Sequence, residues 1–285
     1  MSMLRIAVPN KGSLSEAAST MLEEAGYRRR RDNRELVMVD EANNVEFFFL
    51  RPRDIAVYVA AGTLDVGITG RDLFLDARTS GEAEELMSLG FGHSTFRFAG
   101  PVGKYSSLAD LAGKRLATSY DGLLGDYIEE HNINVAGVVR LDGAVESSIR
   151  LGVADVIADV VETGNTLRAA GMETFGEPIL VSEAVVIGRK NVTHRDIDTL
   201  LRRLQSVLVA RQYVLMDYNI PRELAEEARQ LTPGFDAPTM SPLQDEEWVA
   251  MRVMVKKEDM NMVMDQLHTL GARAILVSAI LATRI

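Results

Sequence analysis

The residues best suited to chemistry lie in the stretch 154–167, ADVIADVVETGNTL. An apolar run carries Asp159 and Glu162 toward its end and then meets Thr163-Gly164-Asn165-Thr166 at an expected helix start. Glycine tolerates unusual dihedrals and lets a ligand approach the backbone closely. N–H groups at a helix N-terminus are unpaired, and the dipole there favours an anion. The Thr163 and Thr166 hydroxyls add donors for phosphate oxygens. Asp159 or Glu162 can accept hydrogen bonds from ribose hydroxyls. Such a loop suits a ribose 5-phosphate. The same tetrapeptide also makes an ordinary capped turn, so the surroundings must decide between the two.

Other candidates sit where short apolar runs end. Lys11 lies in a Pro-Asn-Lys-Gly turn, where an ammonium beside a helix start suits a polyphosphate; a solvated turn lysine is the alternative. Arg51, Arg53 and Asp54 follow the run 45–50, and a guanidinium at a strand's C-terminal end can clamp phosphate. Gly70, Arg71 and Asp72 close the motif DVGITGRD, a cleft wall or else a close-packed turn. Ser119 and Tyr120 end another run. Four arginines at 28–31 read as a solvated loop. His93, His131, His194 and His268 are scattered and show no metal-ligand spacing.

Positioning these residues requires alternating strands and helices. Strands are expected over 3–8, 36–39, 45–50 and 66–69, with helices over 13–25 and 54–61. A second unit begins near Phe91, with strands at 116–118, 135–141 and 156–161, helices near 123–131 and 145–151, and a third helix from about Thr163. The run 184–187 reads as a strand returning to the first unit. The economical fold is therefore two α/β lobes with a cleft, the first discontinuous (1–90 with 181–211) and the second spanning 91–180. From 212 to 285 the order becomes βαββαβ, a ferredoxin-like domain.

Bulk properties narrow the function. The net charge of −10 disfavours nucleic-acid binding, which depends on Lys and Arg neutralising phosphates. With no cysteine, disulfides and thiolate chemistry are excluded. No apolar run reaches the roughly 18 residues of a membrane span. The opening residues lack the pattern of a secretory signal. A cytoplasmic protein is expected.

Glu146, Gly152, Ala154, Ile157, Asp159, Val160, Thr163, Gly164, Thr166 and Leu167 occur in an order and spacing that resembles the ATP phosphoribosyltransferases. The resemblance covers the whole chain, taking in Ala7-Val8-Pro9-Asn10-Lys11-Gly12, the segment 65–72, Ala117-Thr118-Ser119-Tyr120 and Leu141-Asp142-Gly143-Ala144-Val145-Glu146. It implies two periplasmic-binding-protein-like α/β lobes and, in the tail, an ACT-like regulatory domain of the family's long form. A different phosphoribosyltransferase class usually carries two adjacent acids before its Thr-Gly loop, whereas Asp159 is followed here by Val160. Asp121 stands where the pattern has proline, which leaves that loop's shape open.

The implied reaction joins ATP to 5-phosphoribosyl 1-pyrophosphate with release of pyrophosphate, the first step of histidine biosynthesis. Lys11, Glu146 and Asp159 are the implied catalytic residues. Arg51, Gly70, Arg71, Asp72, Ser119, Tyr120, Glu162, Thr163, Gly164, Asn165 and Thr166 would bind substrates. Mg2+ is the implied cofactor, with no ligand assigned. Histidine would inhibit through Asp217, Thr239 and Ala274, and homo-oligomers from dimer to hexamer are expected. The rival is a non-catalytic two-lobed protein that senses a small ligand.

Overall fold

The computed structural model describes residues 3–32, 34–191, 195–235 and 237–284; His194 lies outside them. The first lobe is built on a six-stranded sheet ordered β2-β3-β1-β4-β11-β5. Its strands are β1 (Leu4–Pro9), β2 (Val37–Asp40), β3 (Val45–Leu50), β4 (Val66–Gly70), β5 (Ala83–Ser88) and β11 (Ala184–Arg189). Helices α1 (Ser13–Glu24), α2 (Pro52–Ala60) and α3 (Arg71–Asp76) connect them. Every residue of β4 is buried, as are five of the six residues in each of β1 and β11. Such continuous apolar runs belong to central strands covered on both faces. β1 is parallel to β3 and β4, whereas β11 runs antiparallel to β4 and β5.

The second lobe has a five-stranded sheet ordered β10-β6-β9-β7-β8. It comprises β6 (Ser94–Pro101), β7 (Arg115–Thr118), β8 (Gly137–Arg140), β9 (Val156–Val161) and β10 (Met172–Ser182), with helices α4 (Asp121–Glu130), α5 (Ser147–Arg150) and α6 (Asn165–Ala169). β7 is parallel to β8 and β9, and its core is aromatic, with Phe96 and Phe98 fully buried beside Leu116 and Val156. The chain passes between lobes twice. The two passages hydrogen-bond to each other, Leu89 N–H to the Ala184 carbonyl (2.9 Å) and Ala184 N–H to the Phe91 carbonyl (2.8 Å). Strand β11 therefore returns to the first sheet as expected, while β5, β6 and β10 were not anticipated as strands.

The tail comprises β12 (Tyr213–Pro221), α8 (Ala225–Leu231), β13 (Thr239–Pro242), β14 (Trp248–Lys256), α9 (Met260–Leu270) and β15 (Arg273–Ala279). Its sheet order, β13-β14-β12-β15, with every neighbouring pair antiparallel, is the ferredoxin-like arrangement. Helix α7 (Arg195–Gln212) runs directly into β12. Two compact units result, and the second takes in the chain from Asp198 onward, so most of α7 groups with the tail rather than with the first lobe.

Candidate active site

In each lobe the candidate residues gather at the C-terminal ends of parallel strands, where α/β sheets place ligands. In the first lobe Lys11 follows β1, Arg51 follows β3 and Arg71 follows β4. The Asn10 N–H donates to the Leu50 carbonyl (2.8 Å), tying the first two ends together. In the second lobe Ser119 and Tyr120 follow β7, and Glu162 and Thr163 follow β9.

The loop after β9 borders a cavity of about 260 Å³ lined by Glu146, Asp159, Glu162, Thr163, Gly164 and Thr166, among others. Gly164 precedes α6 with φ 71° and ψ 9°, the left-handed conformation that favours glycine. The Gly164, Asn165 and Thr166 N–H groups donate to no acceptor among the described residues. The expected third helix is α6, only five residues long. Its dipole is correspondingly small, so an anion would be held mainly by the turn's own N–H groups and hydroxyls. Asn165 does not line this cavity, because its Oδ1 accepts from Arg168 Nη2 (2.6 Å).

Asp159 is half-buried, and burial pushes its carboxyl above the ordinary range. Its own hydrogen bond from the Val160 N–H (2.8 Å) opposes this, and the nearby Glu146 carboxylate adds to the rise. Two carboxyl groups on one small cavity repel each other when both are ionised. A bound cation or a set of ribose hydroxyls would relieve that repulsion.

Lys11 opens onto a second cavity, of about 540 Å³, with Asn10, Gly12, Ser15, Arg29 and Arg30 among its lining residues. The Arg30 guanidinium lies over the Phe49 ring, 4.3 Å from its centroid. Its Nη2 reaches the Asn10 carbonyl at 3.5 Å. Part of the arginine run read as a solvated loop is thus folded back on the Lys11 turn, giving a basic cavity in an acidic protein. No local pattern signals this, because the contact depends on the chain returning over β3.

Tyr120 and the β4 motif hold the lobes together. The Tyr120 hydroxyl lies near the Asp72 carboxylate, and its ring lies under the Arg53 guanidinium (4.8 Å). Burial, then the Asp72 charge, pushes the Tyr120 hydroxyl well up, so it remains a neutral donor. Asp72 Oδ1 also accepts from Ser182 Oγ (2.7 Å), and Ser182 Oγ accepts the Asp72 N–H (3.0 Å). Gly70 packs against the same carboxylate, which a Cβ there would strike. Arg71 donates to Glu85 (2.7 and 2.9 Å), Ser88 (2.7 Å) and Glu183 (3.3 Å). Its hydrogen bond holds the Glu85 carboxyl below the usual range. Gly70, Arg71, Asp72 and Tyr120, expected at substrate, are therefore engaged within the protein. Arg51 and Ser119 remain at the strand ends.

Next to this clasp, α3 and α4 approach closely. The Leu123 N–H donates to Asp76 Oδ1 (3.1 Å), Arg78 Nη2 donates to the Gly122 carbonyl (3.0 Å), and a Cβ at Gly122 would collide with the Asp76 carbonyl oxygen. Asp121, the departure from proline, is the first residue of α4. Proline and aspartate both suit that position, the former by its fixed φ and the latter by the helix dipole. The substitution therefore preserves the helix start.

In the tail, residues alternate between a helix-covered face (Met216, Tyr218, Val253, Val277) and a helix-free face. Asp217, Arg252 and Thr239 stand side by side on the helix-free face of β12, β14 and β13. Asp217 Oδ1 accepts from Arg252 Nε (2.7 Å). On the other side, β15 is irregular. Asp217 pairs with Leu276 and Asn219 with Arg273, so Ala274 and Ile275 both stand opposite Tyr218. Ala274 has φ 49°. A β-bulge of this kind removes backbone groups from the ladder. A carboxylate beside such a bulge is a suitable receptor for an ammonium group.

No group of three or more His, Cys, Asp or Glu among the described residues could hold a metal by itself. No helix of the described residues is long and apolar enough to cross a membrane. His131 stacks on Tyr127, ring centroids 3.9 Å apart, and has no place in either cavity.

The family model described as ATP phosphoribosyltransferase matches residues 51–206, and that described as the HisG C-terminal domain matches 210–282. An ATP phosphoribosyltransferase of Paenarthrobacter aurescens (strain TC1) is 70% identical over 289 residues, covering 99% of this chain and 100% of the relative. One from Streptomyces coelicolor is 56% identical over 288 residues, with the same coverage. The ATP phosphoribosyl transferase (HisG:HisZ) complex from Thermotoga maritima aligns with a TM-score of 0.61 at 27% identity, covering 72% of this chain and 98% of that one. These relatives favour an enzyme over a non-catalytic sensing protein. The phosphate-suited loop, the two lobes and the ferredoxin-like tail thus agree with the matches at both ends: the chain belongs to the ATP phosphoribosyltransferase family, in its long form with a C-terminal domain.

Proposed function

We propose that the loop Thr163-Gly164-Asn165-Thr166 binds the 5-phosphate of 5-phosphoribosyl 1-pyrophosphate while this enzyme joins its ribosyl group to ATP in histidine biosynthesis. The observation that carries the assignment is the left-handed Gly164, with three N–H groups that meet no acceptor among the described residues, beside a cavity bordered by Glu146 and Asp159. Adenine N1 of ATP attacks C1 of the donor, the C1–O bond to pyrophosphate breaks, and N1-(5-phospho-β-D-ribosyl)-ATP forms. N1 already carries a free lone pair, so no general base is required. Anchoring the distant phosphate fixes C1 for attack.

Glu146 and Asp159 orient the ribose hydroxyls and face the positive charge that develops on the sugar. Lys11, with Arg30, stabilises the negative charge that grows on the leaving pyrophosphate. Glu162 and Arg51 complete the polar margins, with Ser119 on the ATP side. Enzymes of this family use a divalent metal. Carboxylates of Glu146, Asp159 and Glu162 line one cavity, and no acidic group among the described residues could hold a metal by itself, which suits Mg2+ held chiefly by substrate phosphates with help from Glu146 or Asp159. When bound, the ion neutralises charge on the leaving group.

In this reading the two lobes form the catalytic body and the tail is regulatory. Histidine inhibits by placing its ammonium against Asp217 and the bulge at Ala274, with Thr239 at the margin. The helix-free face of the tail sheet, where Leu276 is 64% exposed, supports association of copies into dimers and hexamers. The direct test is pyrophosphate release measured with both substrates and Mg2+. Release that does not require 5-phosphoribosyl 1-pyrophosphate would overturn the assignment.

A further inference from the structure

Arg168 lies behind the phosphate loop, outside the Glu146 and Asp159 cavity. It lines the neighbouring cavity of about 330 Å³ with Arg97, Glu162 and Glu173. Its Nη2 donates both to the Thr163 carbonyl (3.0 Å) and to Asn165 Oδ1 (2.6 Å), and its Nη1 is the atom nearest to where a Cβ on Gly164 would stand, at 3.7 Å. The Arg168 N–H donates to the Gly164 carbonyl (3.0 Å). One residue therefore holds two consecutive carbonyls of the turn.

The consequence follows from peptide planarity. In a trans peptide the carbonyl and the next N–H point in opposite directions. Fixing the Thr163 carbonyl toward Arg168 turns the Gly164 N–H away from it. Fixing the Gly164 carbonyl does the same for the Asn165 N–H. These are two of the three N–H groups that find no acceptor among the described residues. The planar fork of arginine can serve a carbonyl and a side-chain oxygen together, which the point charge of lysine cannot do with the same geometry.

We infer that Arg168 is a positioning residue whose side chain sets the Thr163–Gly164 peptide plane so that the Gly164 N–H is presented to the donor's 5-phosphate before it binds, while its main-chain N–H sets the next plane. The inference rests on the phosphate-loop reading. It adds a role for a residue that touches the loop's far side.

The test uses the full-length protein with Arg168→Ala, Arg168→Lys and, as a separate probe of the loop, Thr166→Ala. Steady-state rates are measured against each substrate, and the amide 15N shifts of Gly164 and Asn165 are recorded without and with ribose 5-phosphate. Arg168→Ala should raise the KM for 5-phosphoribosyl 1-pyrophosphate roughly tenfold, the loss expected for hydrogen bonds from a charged donor. The KM for ATP and the saturated kcat should change less than about twofold, and the Gly164 amide shift should already differ in the free protein. Arg168→Lys should remain close to Arg168→Ala. Full recovery in Arg168→Lys would mean that the side chain acts as a charge alone, and would overturn the positioning role. If Thr166→Ala weakens donor binding while Arg168→Ala does not, the inference falls and the loop assignment stands. If neither does, the loop assignment falls, and the inference with it.

Discussion

Replacing Gly164 by alanine isolates the conformational cost of the phosphate loop. An alanine Cβ at this position would meet nothing closer than Arg168 Nη1 and Val161 Cγ1, both at 3.7 Å, so sterics contribute no penalty. What remains is the left-handed backbone, φ 71°, which costs a residue with a Cβ about 1–2 kcal/mol. Thr163, Asn165 and Thr166 are exposed, so the loop can relax to another conformation without disturbing the core. The penalty then falls on presentation of the N–H groups. Donor binding should weaken about 5- to 30-fold, while the melting temperature falls by no more than about 4 °C. Initial rates across a grid of both substrates, with thermal melts alongside, read both quantities. Gly164→Asn is the internal control, because asparagine tolerates the left-handed region better; it should lie between parent and alanine variant. A larger rise in the ATP KM than in the donor KM would mean that the substrates are assigned to the wrong parts of the cleft. An asparagine variant as impaired as the alanine one would refute the backbone argument.

Asp159→Asn should raise the melting temperature at pH 7–8 while lowering turnover. Because its folded pKa is raised, the stability associated with Asp159 is full below its unfolded pKa and is lost as pH rises through the folded value. The advantage of the amide should therefore vanish below about pH 4, and an equal offset from pH 4 to 8 would refute it. Lys11→Met and Arg30→Ala should each lower kcat/KM by about a hundredfold if they stabilise the leaving pyrophosphate. Arg30→Lys should fail to rescue, because the stacking on Phe49 is lost; steady-state kinetics decide. Gly122→Ala should destabilise by about 1–3 kcal/mol through overpacking against the Asp76 carbonyl, and an unchanged thermal melt would refute the close packing. Asp217→Ala should weaken histidine inhibition at least about tenfold, the loss of a charged hydrogen bond, with kcat preserved. Inhibition curves identical to the parent's would remove Asp217 from the site.

The parts of the molecule that could be read from its sequence are those fixed locally. The run 154–161 ends in a turn whose residue types permit few geometries, and Gly164 adopts the left-handed backbone that its place suggests. The return of β11 to the first sheet was legible because 184–187 is short, apolar and rich in β-branched residues, which favours a buried strand. β5, AEELMS, was hidden because Glu, Leu and Met favour helix, and only its pairing with β11 makes it a strand. β10 is long but interrupted between Phe175 and Leu180, which disguises its period. The site divides the same way. Asp159 and Glu146 lie within one short segment and share a cavity. Arg30 reaches Lys11 only through the tertiary path of the chain, and Arg71 and Tyr120 find partners as far off as Glu183 and Asp72, so their engagement within the protein has no local signature. Arg168 lies four residues after Gly164, a helical spacing from which its role could have been read.

The position of β11 also dictates an order of assembly during synthesis. The second lobe is one uninterrupted stretch, and all its strands have been synthesised once Ser182 is made. The first sheet, begun at Leu4, cannot close until residues 184–189 follow. Until then β4 lacks the neighbour that covers one edge, and β5 lacks the strand it pairs with among the described residues. The nascent chain therefore carries an open apolar edge at Val66 and Ile68, buried completely in the finished protein, while a later-made lobe folds beside it. A ribosome stalled before Ala184 would present a chaperone client, and one released a few residues beyond Arg189 a closed sheet.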